Sequence, residues 1–166
     1  MIKNLPSLTI DSEPIIDVIN QDGLLLKNQN NKITLEVINK GLSNVKFLEI
    51  DVGSSSFYNI ISQDNIYIGD VDANDFQTAD FNIFINKNSP RNVNLPVTVL
   101  YKDTNNKQYT KNFDITLKTY TTQEAQNLGL VPVSNTIYIV ILVIVLIVVF
   151  IIYRIIRSRR KRNQNL

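Results

Sequence analysis

The feature that most constrains this chain is an apolar run near its C-terminal end. From Ile137 to Tyr153 there are seventeen consecutive residues without a charged residue, Gly, Pro, Ser, Asn or Gln, and the next three residues extend the run to twenty. At a rise of about 1.5 Å per residue, such a helix is about 30 Å long, which is the thickness of a bilayer's hydrocarbon core. A buried helix of a globular domain usually keeps one polar face. The run therefore predicts a transmembrane helix at residues 137–156.

The residues at the two ends of this run are typical of membrane interfaces. Tyr138 and Tyr153 lie where amphipathic rings are favoured, and Arg154 can lay its stem along lipid while its charge reaches the headgroups. The run contains no ionisable residue before Arg154 and no Gly, Ala or Ser, so it predicts a simple anchor in membrane lipid and no transport path. The predicted anchor residues are Ile137, Tyr138, Tyr153, Arg154, Arg157, Arg159, Arg160, Lys161 and Arg162.

Charge predicts the orientation of the anchor. Six of the seventeen Lys and Arg residues lie from Arg154 onward with no acid among them, whereas residues 1–136 hold the other eleven and all fifteen acids, a net charge of −4. Because basic flanks stay in the cytoplasm, we expect a single-pass protein of the cell membrane with its N-terminal domain outside and its C-terminus inside. A tail-anchored protein with a cytosolic domain would have to move six positive charges across the membrane. The acidic balance of the domain also argues against a nucleic-acid partner.

The N-terminal residues do not form the signal peptide that such an orientation requires. Residues 1–14 contain no apolar core of seven or more residues and no cleavage site. We therefore expect the chain to be part of a longer exported protein, or its true start to lie upstream, with residues 1–14 the end of an upstream segment or linker.

Residues 15–120 alternate between short β-branched runs and turn-forming clusters, which is typical of strands. No crossover helix fits between them, so we predict an all-β fold: an immunoglobulin-like antiparallel β-sandwich of about seven strands, followed by a single transmembrane helix. The predicted strands are Ile15–Ile19, Ile33–Asn39, Val45–Val52, Asn65–Val71, Gln77–Asn86, Val93–Tyr101 and Lys107–Thr119.

Several local features follow from the same patterns. Alternation predicts that Phe81, Ile83 and Ile85 point to one face of their strand, as do Phe113, Ile115 and Leu117 of the last strand. Pro96 predicts an edge position or a bulge in the sixth strand. The stretch Thr121–Leu130 predicts a short helix or a linker, within a linker at 121–136, and residues 157–166 predict a basic cytoplasmic tail.

Composition excludes most catalytic sites. The chain has no His and no Cys, so the common triads, thiol nucleophiles and zinc sites cannot form, and we predict no enzyme and no cofactor. A surface hydrolase would have to use a Ser–Lys pair at Ser54–Ser56, which is better explained as a polar loop.

One acidic loop offers oxygen ligands for calcium. Asp70, Asp72, Asn74 and Asp75 suit Ca²⁺, but an EF-hand counted from Asp70 needs Gly at its sixth position and Glu at its twelfth, where this chain has Asp75 and Phe81. We therefore predict no metal site, with Asp70, Asp72 and Asp75 as weak calcium candidates.

Three turn motifs resemble those of a known family. They are an Asn-x-Gly turn at Asn39–Gly41, a Tyr-Ile-Gly-Asp stretch at Tyr67–Asp70, and a Tyr-x-Asp turn at Tyr101–Asp103 followed by Asn105 and Asn106. Together with the final helix and basic tail, they resemble archaeal S-layer-like surface proteins that carry an immunoglobulin-like module of the cell-adhesion-related type (CARDB), over about Ile15–Arg162. The resemblance implies a fold and a placement at the cell surface.

These features predict a non-enzymatic, membrane-anchored module that serves as a cell-surface stalk or adhesion domain, with another surface or membrane protein as its partner. The alternative is an accessory single-span subunit of a membrane complex such as a transporter. The chain also resembles the translocon-associated protein α subunit, which has a lumenal immunoglobulin-like domain, one span and a basic tail.

Overall fold

The computed structural model describes residues 13–132 and a helix from 136 to 162, whose side chains are described from 138 to 154. These residues form two units that divide between Leu130 and Val131. The strands are β1 Ile16–Asn20, β2 Leu25–Leu26, β3 Gln29–Asn39, β4 Val45–Val52, β5 Tyr58–Ile60, β6 Asn65–Val71, β7 Phe76–Ile85, β8 Asn92–Lys102 and β9 Gln108–Tyr120. The helices are α1 Thr122–Asn127 and α2 Thr136–Arg162.

The strands form two sheets, in the orders β1-β3-β7-β5 and β2-β9-β8-β4-β6. Apart from the short β2 beside β9, this spatial arrangement is that of an immunoglobulin sandwich, in which an ABED sheet packs on a GFC sheet with an added C′ strand. The connectivity differs at one point, because β5 occupies the D position and precedes β6 in the C′ position. The predicted all-β sandwich is confirmed, as are the seven predicted strands, although the strand limits shift by a few residues.

Two short strands were absent from the sequence prediction. The two-residue β2 and the three-residue β5 are too short to show an alternating pattern. The sandwich is antiparallel as predicted except at β2, which pairs with the end of β9 in parallel, through Leu25 opposite Thr119 and Leu26 opposite Tyr120.

The core lies between the sheets and follows the predicted alternation. Phe81, Ile83 and Ile85 are fully buried, and each contributes about 1.5–3 kcal/mol to folding. On β9, Leu117 is fully buried while Phe113 and Ile115 are partly buried against the core. The inward faces of both strands were therefore predicted correctly.

Pro96 lies in an interior strand, so the predicted edge position or bulge is wrong. β8 has β9 on one side and β4 on the other, and Pro96 pairs with Asp114 without a register shift. The ladder between β8 and β4 ends at Val97 opposite Val52, next to Pro96. Just beyond it, the Pro96 carbonyl accepts a hydrogen bond from Gly53 N (2.8 Å). Proline lacks the N–H that would complete this pair with the Gly53 carbonyl, and that carbonyl accepts a hydrogen bond from Tyr58 Oη (2.5 Å) instead.

The chain enters and leaves the sandwich at opposite ends. Pro14 lies beside the start of β9, where its carbonyl accepts hydrogen bonds from Tyr101 Oη and Lys111 Nζ (both 3.4 Å). From there β9 runs thirteen residues to Tyr120, about 40 Å away. We call these the N-terminal end and the C-terminal end of the sandwich.

Asn39 joins three segments at the N-terminal end. Its buried Nδ2 donates to the carbonyls of Ser43 (2.9 Å), Asp72 (3.0 Å) and Val71 (3.3 Å), and its Oδ1 accepts from Gly41 N (3.0 Å). One amide side chain thereby holds the β3–β4 turn against the β6–β7 turn.

The predicted short helix is confirmed as α1, directly after β9. Thr121 caps it by accepting from Glu124 N (3.2 Å), while the Glu124 carboxylate accepts from Thr121 N (2.7 Å), which is a capping box. Ala125 is fully buried, so α1 packs on the sandwich.

The predicted anchor falls on α2, and every side chain from Tyr138 to Tyr153 is exposed. Arg154 is exposed as well, whereas the side chains of Ile137, Arg157, Arg159, Arg160, Lys161 and Arg162 lie outside the described residues. Over the part of the chain that the structure describes, no helix combines the length and the apolar character needed to cross a membrane. The span at 137–156 stays a prediction.

Candidate interaction surface

A β-bulge in β4 turns Phe47 out of the sandwich. Val45 pairs with Val71 and Leu48 with Gly69, so β4 has one more residue than β6 in this interval, and the same shift separates β4 from β8. Phe47 takes up the extra length with a φ of 54°. Such a conformation is rare for a bulky residue and costs about 1–3 kcal/mol. The residue is 52% exposed.

The ring belongs to a shallow cleft on the outer face of the five-stranded sheet. We call this cleft the Phe47 patch; its volume is about 230 Å³, and its outward side chains are those of Phe47, Glu49, Tyr67, Leu100, Lys102 and Gln108. Tyr67 is 62% exposed, and Lys102 Nζ lies 5.2 Å from the centroid of the Phe47 ring. Two exposed aromatic rings beside an acid, a base and an amide can supply both apolar contact and directional hydrogen bonds to a ligand.

The backbone around the bulge is fixed by neighbouring strands. Asp70 Oδ1 accepts a hydrogen bond from Phe47 N (3.2 Å), and Glu49 accepts one from Asn65 Nδ2. Glu49 also pairs directly with Tyr67 and with Leu100 across the sheet. Phe47 and Tyr67 therefore project from strands of the sheet and not from a loop.

An ordered β8–β9 turn lies beside the patch. Asp103 Oδ1 accepts from Asn105 N (2.8 Å) and Lys107 N (2.9 Å), and its Oδ2 accepts from Tyr109 Oη (3.0 Å). Burial raises the pKa of Asp103, but these donors together outweigh it and hold the pKa below its ordinary value of 3.8. Tyr101 stacks on Tyr109 at 5.3 Å, and burial, with the Glu13 and Tyr109 charges, raises the pKa of Tyr101 to about 12.

The turn predicts an acid-dependent loss of stability. Because the folded-state pKa of Asp103 lies below 3.8, its contribution is complete above pH 3.8 and is lost as the pH falls through the folded value. We expect Asp103→Asn to lower the melting temperature at neutral pH, since the amide accepts these donors less strongly, and to flatten its decline in acid. Melting curves of both proteins between pH 7 and pH 2 test this, and parallel curves would contradict it.

The strain at Phe47 makes an unusual prediction for its replacement. We expect Phe47→Gly to leave the protein about 1 kcal/mol more stable than the same replacement of another half-exposed phenylalanine, because glycine adopts a positive φ without strain. Phe76 is the matched control, since it is 51% exposed at the start of β7 and has no positive φ. Phe76→Gly should destabilise the protein by about 0.5–1 kcal/mol. Denaturant unfolding of both variants measures the difference. Equal losses of unfolding free energy would show that the positive φ at Phe47 carries no strain.

The predicted calcium candidates are held by different partners. Asp70 accepts from Phe47 N, Asp72 Oδ1 accepts from Asn44 Nδ2 (2.7 Å), and Asp75 Oδ1 accepts from Phe76 N (2.8 Å). Asn74 takes a left-handed turn conformation with φ 57°. Among the residues that the structure describes, no three acidic side chains come together as a metal site. The calcium hypothesis gains no support from this arrangement.

The serine candidates lie in a loop at the C-terminal end, where Ser54 and Ser56 are exposed. Ser55 forms an isolated bridge with Tyr58, and its Oγ accepts from Phe57 N (3.3 Å). The Ser56 carbonyl accepts from Asn86 Nδ2 (2.8 Å). These contacts are those of a structural loop.

Sequence reasoning missed the Phe47 patch. Tyr67 stood in a motif that was interpreted only as a turn, and Phe47 was assigned to a strand without comment. The available signal was the run Val45–Val52, in which strict alternation would place Val45, Phe47 and Glu49 on one face. That assignment would bury a charge, so the run already indicated a break in the alternation.

Comparisons with known proteins add distant structural likenesses. No family model and no curated protein matches the chain. A FixG-related protein of Vibrio parahaemolyticus is 16% identical, with a TM-score of 0.38 over 64% of this chain and 95% of that one. The CARDB domain of a Pyrococcus furiosus protein is 14% identical, with a TM-score of 0.36 over 61% of this chain and 88% of that one. The major pilin subunit of Bacillus cereus is 11% identical, with a TM-score of 0.45 over 66% and 41%. These likenesses are too distant to bear on function.

Proposed function

We propose that this chain is a non-enzymatic interaction module at a cell surface, fixed to the membrane by its C-terminal helix. The observation that carries the proposal is the path of the chain, which enters the sandwich beside Tyr101 and leaves it about 40 Å away at Tyr120. A module with its ends far apart acts as a spacer. The Phe47 patch lies toward the N-terminal end, opposite to the end of the sandwich at Tyr120.

The anchor itself is supported by the sequence and by exposure. The sixteen side chains from Tyr138 to Tyr153 are apolar or aromatic and exposed on every face of α2, and the apolar run in the sequence continues to Ile156. Such a surface is stable only when lipid or protein covers it. Six positive charges from Arg154 onward favour a cytoplasmic C-terminus. Kinship with CARDB-type modules of archaeal surface proteins is part of the proposal and rests on the three turn motifs.

Protease treatment of intact cells tests the placement. The native-length gene is expressed with a tag at either end, in separate strains. We expect the sandwich to be digested while the C-terminal tag survives until the cells are lysed. Loss of the C-terminal tag with protection of the sandwich would overturn the proposal and place the domain in the cytosol.

An accessory subunit of a membrane complex is the second candidate, because protein could cover α2 as well as lipid. A subunit should co-purify with its partner at fixed stoichiometry in mild detergent. A stalk should instead retain its function when the linker at 121–136 is lengthened.

A further inference from the structure

The outer edge of β9 is the longest regular open edge among the described strands. On one side β9 pairs with β8 without a break, from Lys118 opposite Asn92 to Gln108 opposite Lys102. On the other side only Thr119 and Tyr120 are paired, with β2. Residues 108–118 therefore have no strand beside them in the part of the chain that the structure describes.

The direction of the backbone groups along β9 follows from bonds at both ends of its ladder. Thr119 N donates to Arg91 O (2.7 Å) and Asp103 N donates to Lys107 O (3.0 Å), so odd-numbered residues of β9 bond toward β8. The Tyr120 carbonyl accepts from Lys27 N (2.8 Å) on the opposite side. Because these directions alternate along a strand, even-numbered residues such as Asp114, Thr116 and Lys118 present N–H and C=O groups to the open edge.

This edge is longer and more regular than the other outer edges of the two sheets, although Lys111 and Lys118 carry charges along it. The four outermost strands differ from it: β1 has five residues, β2 has two, β5 has three, and β6 is bulged at Gly69, where φ is 99°. Short or bulged edges resist pairing, whereas long regular edges invite it. Along 108–118, β9 has neither a bulge nor a proline.

The charged side chains at this edge can pair with those of an antiparallel second copy. The segment Asp114–Lys118 reads Asp-Ile-Thr-Leu-Lys, so an antiparallel copy centred on Thr116 places Asp114 opposite Lys118 twice. Opposite charges and Thr–Thr pairs are favourable neighbours across strands. Asp114 Oδ1 already accepts from Asn94 Nδ2 (2.9 Å), which orients its carboxylate on this face, and Lys118 has no ion pair among the described residues. A groove of about 390 Å³ separates this segment from β1 and leaves room alongside the edge.

We propose that two copies of this chain associate through antiparallel β9–β9 pairing centred on Thr116. The backbone groups of Asp114, Thr116 and Lys118 then bond to Lys118, Thr116 and Asp114 of the second copy. The interface is isologous, so the same five residues of each copy form the contact. The pairing continues the five-stranded sheet across the interface.

The symmetry has a consequence for membrane-anchored copies, and this step rests on the proposed function. Antiparallel β9 strands direct their C-terminal ends in opposite directions. Two copies so paired therefore suit anchors in facing membranes, and the contact would act in adhesion between surfaces. A single strand pair is a small contact, so many copies on each surface would be needed for lasting attachment.

Cysteine cross-linking of the full chain in mild detergent tests the pairing. The natural chain has no cysteine, so Thr116→Cys adds a single thiol. Opposed residues of a hydrogen-bonded antiparallel pair lie about 5.5 Å apart, which a disulfide spans. We expect covalent dimers on oxidation with copper(II) phenanthroline. Thr110→Cys is the control, since it is exposed on the same face of β9 but would lie about 40 Å from its counterpart. Equal cross-linking of both variants, or none at Thr116→Cys, overturns the proposal.

A charge exchange supplies the second test. Asp114→Lys and Lys118→Asp each create two like-charge pairs and should weaken self-association about tenfold, as measured by sedimentation of the full chain. The double variant restores both pairs and should restore association. Unchanged association in the single variants, or failure of the double variant to recover, contradicts the assigned register.

These measurements in detergent do not depend on where the sandwich lies in the cell. A cytosolic sandwich with intact cross-linking would overturn the proposed function and leave the pairing standing. If the sandwich lies outside the cell but no cross-link forms, the β9 pairing is overturned and the proposed function stands.

Discussion

Asn39→Asp should lower the free energy of unfolding by about 3–5 kcal/mol, the largest loss that we expect from any change of one side-chain group. The Asn39 amide group donates to three backbone carbonyls, of Ser43, Val71 and Asp72, in a fully buried position. Aspartate has the same shape, but its carboxylate has no donor and would face these carbonyl oxygens with a negative charge. The change therefore removes the three donated hydrogen bonds, keeps the one accepted from Gly41 N, and buries a negative charge without altering the packing.

Urea denaturation at neutral pH measures this loss. Asn88→Asp is the matched control because Asn88 is exposed in the turn between β7 and β8, where a new charge remains in water. We expect the control to change stability by no more than about 0.5 kcal/mol. Similar unfolding midpoints for the two variants would show that the Asn39 bonds do not hold the turns together.

The sequence predicted the fold well because most strands obey a simple period. Phe81, Ile83 and Ile85 alternate with polar residues, and this alternation alone gives the buried face of β7. The method fails where the period breaks. One inserted residue shifts the register at Phe47. Alternation would place Phe47 on the same face as the buried Val45, but the residue lies on the outer surface.

The candidate sites were less accessible to sequence reasoning, because a motif shows residue types without their partners. The Asn39–Gly41 turn was recognised, but nothing local indicates that Asn39 reaches Val71 and Asp72, more than thirty residues away. The open edge of β9 is hidden for a related reason. Its exposure depends on β2 being only two residues long, and so short a strand leaves no pattern in the sequence.

Gly41→Ala should lower the free energy of unfolding by about 2–3 kcal/mol, the second largest loss that we expect. A Cβ atom at this position would lie 2.9 Å from Ile15 N, 3.1 Å from Asn39 Oδ1 and 3.3 Å from Pro14 Cα. The backbone of Ile15 cannot easily retreat, because its carbonyl accepts a hydrogen bond from Lys40 N (2.7 Å). The added methyl group must therefore displace either the start of the domain or the Asn39 amide.

Gly23→Ala separates this steric effect from the general cost of replacing glycine. Gly23 has no positive φ, and a Cβ atom there would meet nothing within 4 Å. We expect that variant to be neutral or more stable by about 0.4–1 kcal/mol, since alanine restricts the unfolded chain. Hydrogen exchange adds a positional readout: Gly41→Ala should reduce amide protection in β1 more than in β8. If Gly41→Ala reduces amide protection equally in β1 and β8, the close approach of Gly41 to Ile15 does not fix β1 in place.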